Sequence, residues 1–134
     1  MKRYVFSLIL TIMFTVSYGQ TQMQNTVVQD TVHVYKLYPT KNIWTFIKLN
    51  TSTGQMWQVH FGVNEEGKRC EDILSLSRLA TGNEAVNGRF ELYPTENMYN
   101  FILLDQYDGR TWQVQWSFDY MNRGILPIKD FKNL

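Results

Sequence analysis

The chain carries one stretch of sequence twice, at residues 35–61 and 90–116, with a constant offset of 55 positions and no gap. Chance does not give so many identities at one spacing, so the chain contains an internal duplication. The two copies must form the same local structure, and this requirement limits the fold more than any other feature. The positions unchanged between the copies are, numbered in the first copy, Leu37, Tyr38, Pro39, Thr40, Asn42, Phe46, Ile47, Leu49, Gly54, Trp57, Gln58 and Val59.

The first half of each copy predicts two strands and a hairpin turn. Residues 32–38 are rich in aromatic and β-branched side chains and end at Pro39, which lacks the N–H that a sheet ladder needs. Residues 43–49 are apolar on both sides, as is typical of a central strand covered on both faces. In the turn that follows, Gly54 supplies the positive φ of a bulged hairpin.

The clearest strand follows this turn. Apolar and polar residues alternate over residues 56–63 and again over 111–118. Such alternation indicates a strand with one face in the core and one polar face. We expect Trp57 and Val59 to face the core and Gln58 to lie on the polar face.

A fourth strand is predicted to close each copy. In the second copy it lies at residues 124–128, and in the first copy it lies near residues 73–76. Residues 71–80 also carry apolar side chains at helical spacing, so a helix is the alternative there. A short strand followed by a loop is the favoured interpretation.

These elements predict an all-β fold of two tandem antiparallel meanders, each of three or four strands. One copy cannot cover its own apolar face, whereas two copies packed as a pseudo-twofold sandwich or barrel bury both faces. A four-stranded meander also resembles a propeller blade, and since two blades cannot close a ring, that alternative requires oligomers. We expect one β domain at residues 31–134, made of repeats 31–80 and 86–128.

Residues 1–19 predict a secretory signal peptide. They combine a basic start, an apolar run and small residues at Ser17 and Gly19 before the expected cleavage site. The apolar run is too short for a membrane span, which needs about 20 residues. Residues 20–30 are polar and predict a flexible lead-in. We therefore expect export to the periplasm, the cell surface or the medium, with no membrane span after cleavage.

The net charge and the cysteine content argue against a nucleic-acid-binding protein and against a disulfide-stabilised fold. The chain has 13 Lys and Arg against 12 Asp and Glu; removal of Lys2 and Arg3 with the signal peptide leaves 11 against 12, a net charge of −1. A protein without a basic surface is not expected to bind nucleic acid. The single cysteine, Cys70, allows no internal disulfide. It is predicted to be a semi-buried thiol without a role, with pairing between chains as the alternative.

No catalytic or metal-binding motif appears, so we expect neither an enzyme nor a cofactor. The chain lacks a Gly-rich phosphate loop, a Gly-x-Ser-x-Gly elbow, a His-Glu-x-x-His helix and a Cys-x-x-Cys pair. A Cys70–His60 nucleophile pair is conceivable. Nothing in the sequence places these two residues together, and the second copy has Gln115 in place of His60.

The glutamines kept in both copies, Gln58 and Gln113, are the best candidates for a binding site, because packing does not require an amide on a polar face. Aromatic rings stack on sugars and amides bond to their hydroxyls, so a glycan is the candidate ligand. The residues themselves favour a structural role, in which the amides form cross-strand pairs that fix the register. The candidate ligand-binding residues are Gln58, His60, Gln113, Gln115, Tyr38 and Tyr93.

The repeated pattern also carries a family resemblance. Leu-Tyr-Pro-Thr-x-Asn, followed by Gly-x-x-Trp-Gln-Val, resembles the pattern of small, exported, uncharacterised proteins of Bacteroidota-type bacteria. The resemblance covers both repeats, which is most of the chain after the signal peptide. It implies export and a bacterial source, and it brings no activity and no site residues.

Two hypotheses about function follow. The first is a secreted, non-enzymatic binding module for a glycan or a surface protein, which predicts exposed aromatic rings beside the glutamines. The second is a structural module that assembles into homo-oligomers through edge strands or aromatic patches. It predicts an unprotected strand edge or a large exposed apolar patch.

Overall fold

A computed structural model describes residues 32–63 and 69–133, and within them the chain forms two separate four-stranded antiparallel sheets. Sheet 1 contains the first repeat and sheet 2 the second, and in each the strand order follows the chain. The strands are β1 Tyr35–Pro39, β2 Thr45–Asn50, β3 Met56–His60, β4 Cys70–Ser75, β5 Phe90–Pro94, β6 Asn100–Asp105, β7 Thr111–Gln115 and β8 Gly124–Ile128. Short 3-10 turns lie at Gly82–Glu84, Tyr120–Asn122 and Phe131–Asn133.

The predicted all-β sandwich of two meanders is confirmed, and the sheets do not close into a barrel. The first repeat ends in a strand and not a helix, since β4 pairs with β3 along its length. The hairpin glycines Gly54 and Gly109 have φ of 80° and 78°, as their turns require. Pro39 is the last residue of β1. It is tolerated there because β1 is an edge strand.

The predicted signal peptide and lead-in, at residues 1–19 and 20–30, lie outside the described residues. Within the described part of the chain, no helix is long and apolar enough to span a membrane.

One core lies between the two sheets. The side of each sheet that faces the other is called its inner face here, and the opposite side its outer face. The residues of this core are Ile47, Leu49, Met56 and Leu74 from sheet 1, Phe90, Leu92, Phe101, Leu103, Trp112 and Val114 from sheet 2, and Ala80 and Trp116 from the connecting segments.

The two repeats contribute opposite sides to this core. With an offset of 55 positions, the equivalent of buried Ile47 is Ile102, which lies on the outer face of sheet 2. Conversely, Leu92 is 2 % exposed on an inner face, whereas its equivalent Leu37 is 58 % exposed on an outer face. The pseudo-twofold relation expected between the repeats is therefore wrong, because a twofold axis would bring the same side of each repeat into the core. The sheets instead stack as successive layers, each with the same side pointing the same way.

This stacking corrects one prediction for the first repeat. Trp57 and Val59, expected to face the core, lie half-buried on the outer face of sheet 1. Gln58, expected on a polar surface, is fully buried on the inner face. Alternation shows that a strand has two unlike faces, but a neighbouring layer decides which face is covered. In the second repeat the prediction is confirmed, since Trp112 and Val114 are buried.

Ion pairs join equivalent positions of the two repeats. The Lys36 ammonium lies 2.8 Å from a Glu91 carboxylate oxygen, and the Lys41 ammonium lies 3.1 Å from one of Glu96. In each pair the residues are 55 positions apart, so the repeats carry opposite charge at the same two sites. Layers stacked in the same orientation bring such equivalent positions together.

A buried ion pair anchors the start of β5. The Arg89 guanidinium donates through Nε to both carboxylate oxygens of Asp105, at 3.1 and 3.0 Å. Asp105 is fully buried, and its Oδ1 also accepts the Tyr107 N–H of the hairpin turn. The hydrogen bond to Asp105 raises the pKa of Arg89 above its ordinary value. In the first repeat the equivalent of Asp105 is Asn50, which caps its turn without a cation.

Candidate functional site

The structure does not bring the six candidate glycan-binding residues together. Gln58 lies inside the core, where its Nε2 donates to the Ser117 carbonyl at 3.0 Å and its Oε1 accepts the Ser117 N–H at 2.9 Å. Gln113, Gln115 and Tyr93 belong to the outer side of sheet 2. Gln58 therefore holds the two repeats together, and its amide is not available to a ligand.

Tyr38 and Tyr93 occupy equivalent positions but different surroundings. Tyr38 lies against the core and Tyr93 is exposed. Burial raises the pKa of Tyr38, and the neighbouring Glu91 carboxylate raises it further. Tyr38 therefore packs between the two repeats, whereas Tyr93 belongs to the exposed surface of sheet 2.

The sixth residue, His60, lines a cleft of about 560 Å³ where the two repeats meet. The imidazole stacks on the Phe118 ring, with 5.3 Å between the ring centroids, and its Nδ1 lies 3.0 Å from the Thr45 hydroxyl. Trp44 and Phe61 form a second aromatic pair that lines the cleft. Because His60 alone of the six lines this cleft, glycan binding stays a prediction.

Arg123 clamps the repeats together beside this cleft. Its Nη1 lies 2.7 Å from an Asp72 carboxylate oxygen and donates to the Ile73 carbonyl, while its Nε donates to the Ser117 carbonyl at 2.7 Å. The bond from Arg123 holds the pKa of Asp72 below its usual value. Since these internal acceptors use the guanidinium, Arg123 is not a free anion-binding group.

The structure also places His60 and Cys70 opposite each other in β3 and β4, a proximity that the sequence did not indicate. Cys70 is exposed, so the prediction of a semi-buried thiol was wrong. Among the described residues the thiol and the imidazole form no hydrogen bond, and the imidazole interacts with Thr45. Nucleophilic catalysis by a cysteine needs such a contact with a base. In the same part of the chain, no group of three or more His, Cys, Asp or Glu is placed to hold a metal ion.

Acidification is expected to destabilise the fold through His60. Burial, and then the charge of Arg123, lower the pKa of His60 below its ordinary value of 6.5. Just below pH 6.5 the unfolded chain therefore binds more protons than the folded chain, so stability falls as the pH falls. Thermal unfolding between pH 7.5 and about 5.5 should show a lower midpoint at the acid end. His60→Gln, which installs the residue of the second repeat, should flatten this dependence; an unchanged dependence would refute the assignment.

The outer face of sheet 1 is an exposed aromatic and aliphatic surface. Its charged residues, Lys48 and Glu71, form an ion pair, and the Lys48 ammonium lies 4.8 Å from the centroid of the Trp57 ring. Long side chains thus lie along the surface without covering it. The apolar residues of this face are Tyr35, Leu37, Phe46, Trp57, Val59 and Ile73.

The outer face of sheet 2 is also uncovered but carries amides and smaller apolar groups. Leu126 and Ile128 are 65 % and 49 % exposed, and within the described residues the Gln113 side chain has no hydrogen-bond partner. A monomer seldom leaves a large apolar surface exposed without a role in binding. The apolar and amide residues of this face are Tyr93, Ile102, Leu104, Gln113, Gln115, Leu126 and Ile128.

No protein-family model, curated protein or solved structure matches the chain. The resemblance to exported Bacteroidota-type proteins therefore stays a prediction, and the two outer faces are the strongest candidate functional surfaces.

Proposed function

We propose that this protein is a secreted, non-enzymatic structural module that associates with further copies of itself through its outer faces. One observation carries the proposal. The core between the sheets joins one side of the first repeat to the opposite side of the second repeat. Each sheet consequently leaves uncovered the side that its equivalent in the other repeat buries, as Leu37 and Leu92 show.

A second copy is the occupant that this arrangement favours. The outer face of sheet 1 is equivalent to the inner face of sheet 2, and the outer face of sheet 2 is equivalent to the inner face of sheet 1. Surfaces of these two kinds already pack against each other inside the molecule. The chain therefore carries two uncovered surfaces of the same two kinds that pack together in its core, which supports association between copies.

The outer face of sheet 1 differs from its buried equivalent, the inner face of sheet 2, at two charged positions. Lys48 and Glu71 lie where the second repeat has Leu103 and Ile125. Covering an ion pair costs desolvation that two aliphatic side chains do not. We therefore expect association between copies to be weaker and more reversible than the packing within one copy.

Single glutamates on either outer face should abolish self-association. Leu37→Glu on sheet 1 and Ile128→Glu on sheet 2 each put a charge on an exposed position, so the fold should survive while the face can no longer be buried. Light scattering on a size-exclusion column should give the mass of one chain for both variants and a higher mass for the wild type. Val86→Glu, in the linker between repeats, is the matched control.

In this experiment Val86→Glu should keep the wild-type mass, and all three variants should unfold cooperatively. The proposal is wrong if the wild-type chain has the mass of a single chain up to about 1 mM, the weakest affinity worth considering. It is also wrong if both face variants assemble as the wild type does.

A further inference from the structure

We infer that the copies associate head to tail, with the outer face of sheet 2 of one copy on the outer face of sheet 1 of the next. This inference rests on the proposed self-association and specifies which surfaces meet. Inside the molecule, the side of repeat 1 that contains Ile47 packs on the side of repeat 2 that contains Leu103. Their uncovered equivalents, around Ile102 and Lys48, therefore form the same kind of contact between two copies.

A specific hydrogen-bonding pair fixes the register. The Gln58 side-chain amide forms two hydrogen bonds with the backbone of Ser117. With the offset of 55 positions, Gln113 is the equivalent of Gln58, and Gly62 is the equivalent of Ser117. An arginine side chain binds the carbonyl oxygen at each of the two backbone positions. Arg123 donates to the Ser117 carbonyl at 2.7 Å, and Arg69 donates to the Gly62 carbonyl at 3.3 Å.

The surroundings of these two arginines confirm that they are equivalent. Arg69 precedes Cys70, the cross-strand partner of His60, and Arg123 precedes Gly124, the partner of Gln115. The backbone of Gly62, at one end of the molecule, is therefore held by an arginine in the same way as the backbone of Ser117 inside the molecule. We expect the Gln113 amide of one copy to form the same two hydrogen bonds with Gly62 of the next copy.

The ion pairs between equivalent positions of the repeats can also continue from one copy to the next in a head-to-tail stack. Within a copy, Lys36 pairs with Glu91 and Lys41 pairs with Glu96, which are the same two positions of successive repeats. In a head-to-tail stack the next repeat again presents lysine at both positions. Each glutamate then lies between two lysines, so like charges are never adjacent along the stack.

Pairing of like faces has no such support. A contact between two outer faces of sheet 1 would leave Gly62 and Gln113 unmatched, and the described part of the chain contains no sheet contact of that kind. A head-to-tail contact is heterologous, so it closes into a ring or continues as a filament, according to the rotation between layers.

Mixing two blocked variants tests the inference. Leu37→Glu keeps only the outer face of sheet 2, and Ile128→Glu keeps only the outer face of sheet 1. Each alone should have the mass of one chain, and an equimolar mixture should form a one-to-one complex and nothing larger. Native mass spectrometry distinguishes the mixed dimer by a tag on one variant.

The register is tested in the same mixture by Gln113→Ala. Placed on the Leu37→Glu chain, which uses its sheet 2 face, it should weaken the complex about tenfold through the loss of two hydrogen bonds. Placed on the Ile128→Glu chain, where that face is blocked, it should change nothing. Equal effects on the two chains, or none on either, would overturn the assigned register.

The results separate failure of the inference from failure of the proposed function. If Ile128→Glu alone still dimerises, the outer faces of sheet 1 pair with each other, and if Leu37→Glu alone does, those of sheet 2 pair. Either result keeps self-association and overturns the head-to-tail arrangement. A wild-type chain that stays monomeric removes the proposed function, and the inference with it.

Discussion

Asp105→Ala is expected to lower the free energy of unfolding by about 3 kcal/mol, because it removes the fully buried partner of the Arg89 cation and leaves only the more exposed Asp108 and Glu84 carboxylates beside it. The carboxylate is fully buried, accepts from Arg89 and Arg110, and caps the hairpin turn by accepting the Tyr107 N–H. The substitution removes all of these contacts at once. Urea unfolding followed by tryptophan fluorescence measures the change.

Two controls separate the charge from the turn. Asp105→Asn installs the side chain found at the equivalent position of the first repeat, so it should keep the turn bonds and cost less than alanine. Glu71→Ala removes a carboxylate from an exposed ion pair and should cost about 0–1 kcal/mol. If Asp105→Ala costs no more than Glu71→Ala, the buried pair does not have the role assigned to it.

Gln58→Ala is expected to lower the free energy of unfolding by about 2–4 kcal/mol, through a small cavity and through backbone groups of Ser117 left without their partner. The side chain is fully buried and forms both of its bonds across the core. Differential scanning calorimetry at low protein concentration reports the loss in the single molecule.

Gln113→Ala is the matched control, since it removes the same side chain at the same position of the other repeat. On the outer face it should change the stability of the single molecule by about 0.5 kcal/mol or less. Similar losses for the two variants would contradict the unequal roles that stacking gives to the two glutamines.

The duplicated sequence was sufficient to predict the strands, because each one has its own local signal. The repeated glycines predicted the hairpins, and Gly54 and Gly109 have the positive φ that was expected. The choice between strand and helix after Cys70 was also correct. These features depend on backbone geometry and on alternation, which act within a few residues.

The burial of each face was not predictable in the same way. Trp57 and Trp112 are identical in both copies and have the same local sequence, yet one lies on an outer face and the other in the core. Only the neighbouring layer decides between them. The same cause misplaced Gln58, which was expected on the polar face and instead is buried and bonds to the next repeat.

One signal of stacking was present in the sequence. Lysine at positions 36 and 41 becomes glutamate at positions 91 and 96, while the surrounding residues are largely unchanged. Opposite charges at equivalent positions are expected when the same positions of successive repeats are neighbours. Comparing the charges at equivalent positions of the two repeats therefore predicts that the sheets stack in the same orientation. It does not predict that the outer faces are uncovered.

Sedimentation equilibrium of the wild-type chain over a range of concentrations tests the central claim most directly. If the outer faces bind further copies, the weight-average mass should rise with concentration above that of one chain, and Leu37→Glu should hold it at that of one chain. A single-chain mass for the wild type at every concentration would contradict the account. The exposed faces would then have to serve a partner other than the protein itself.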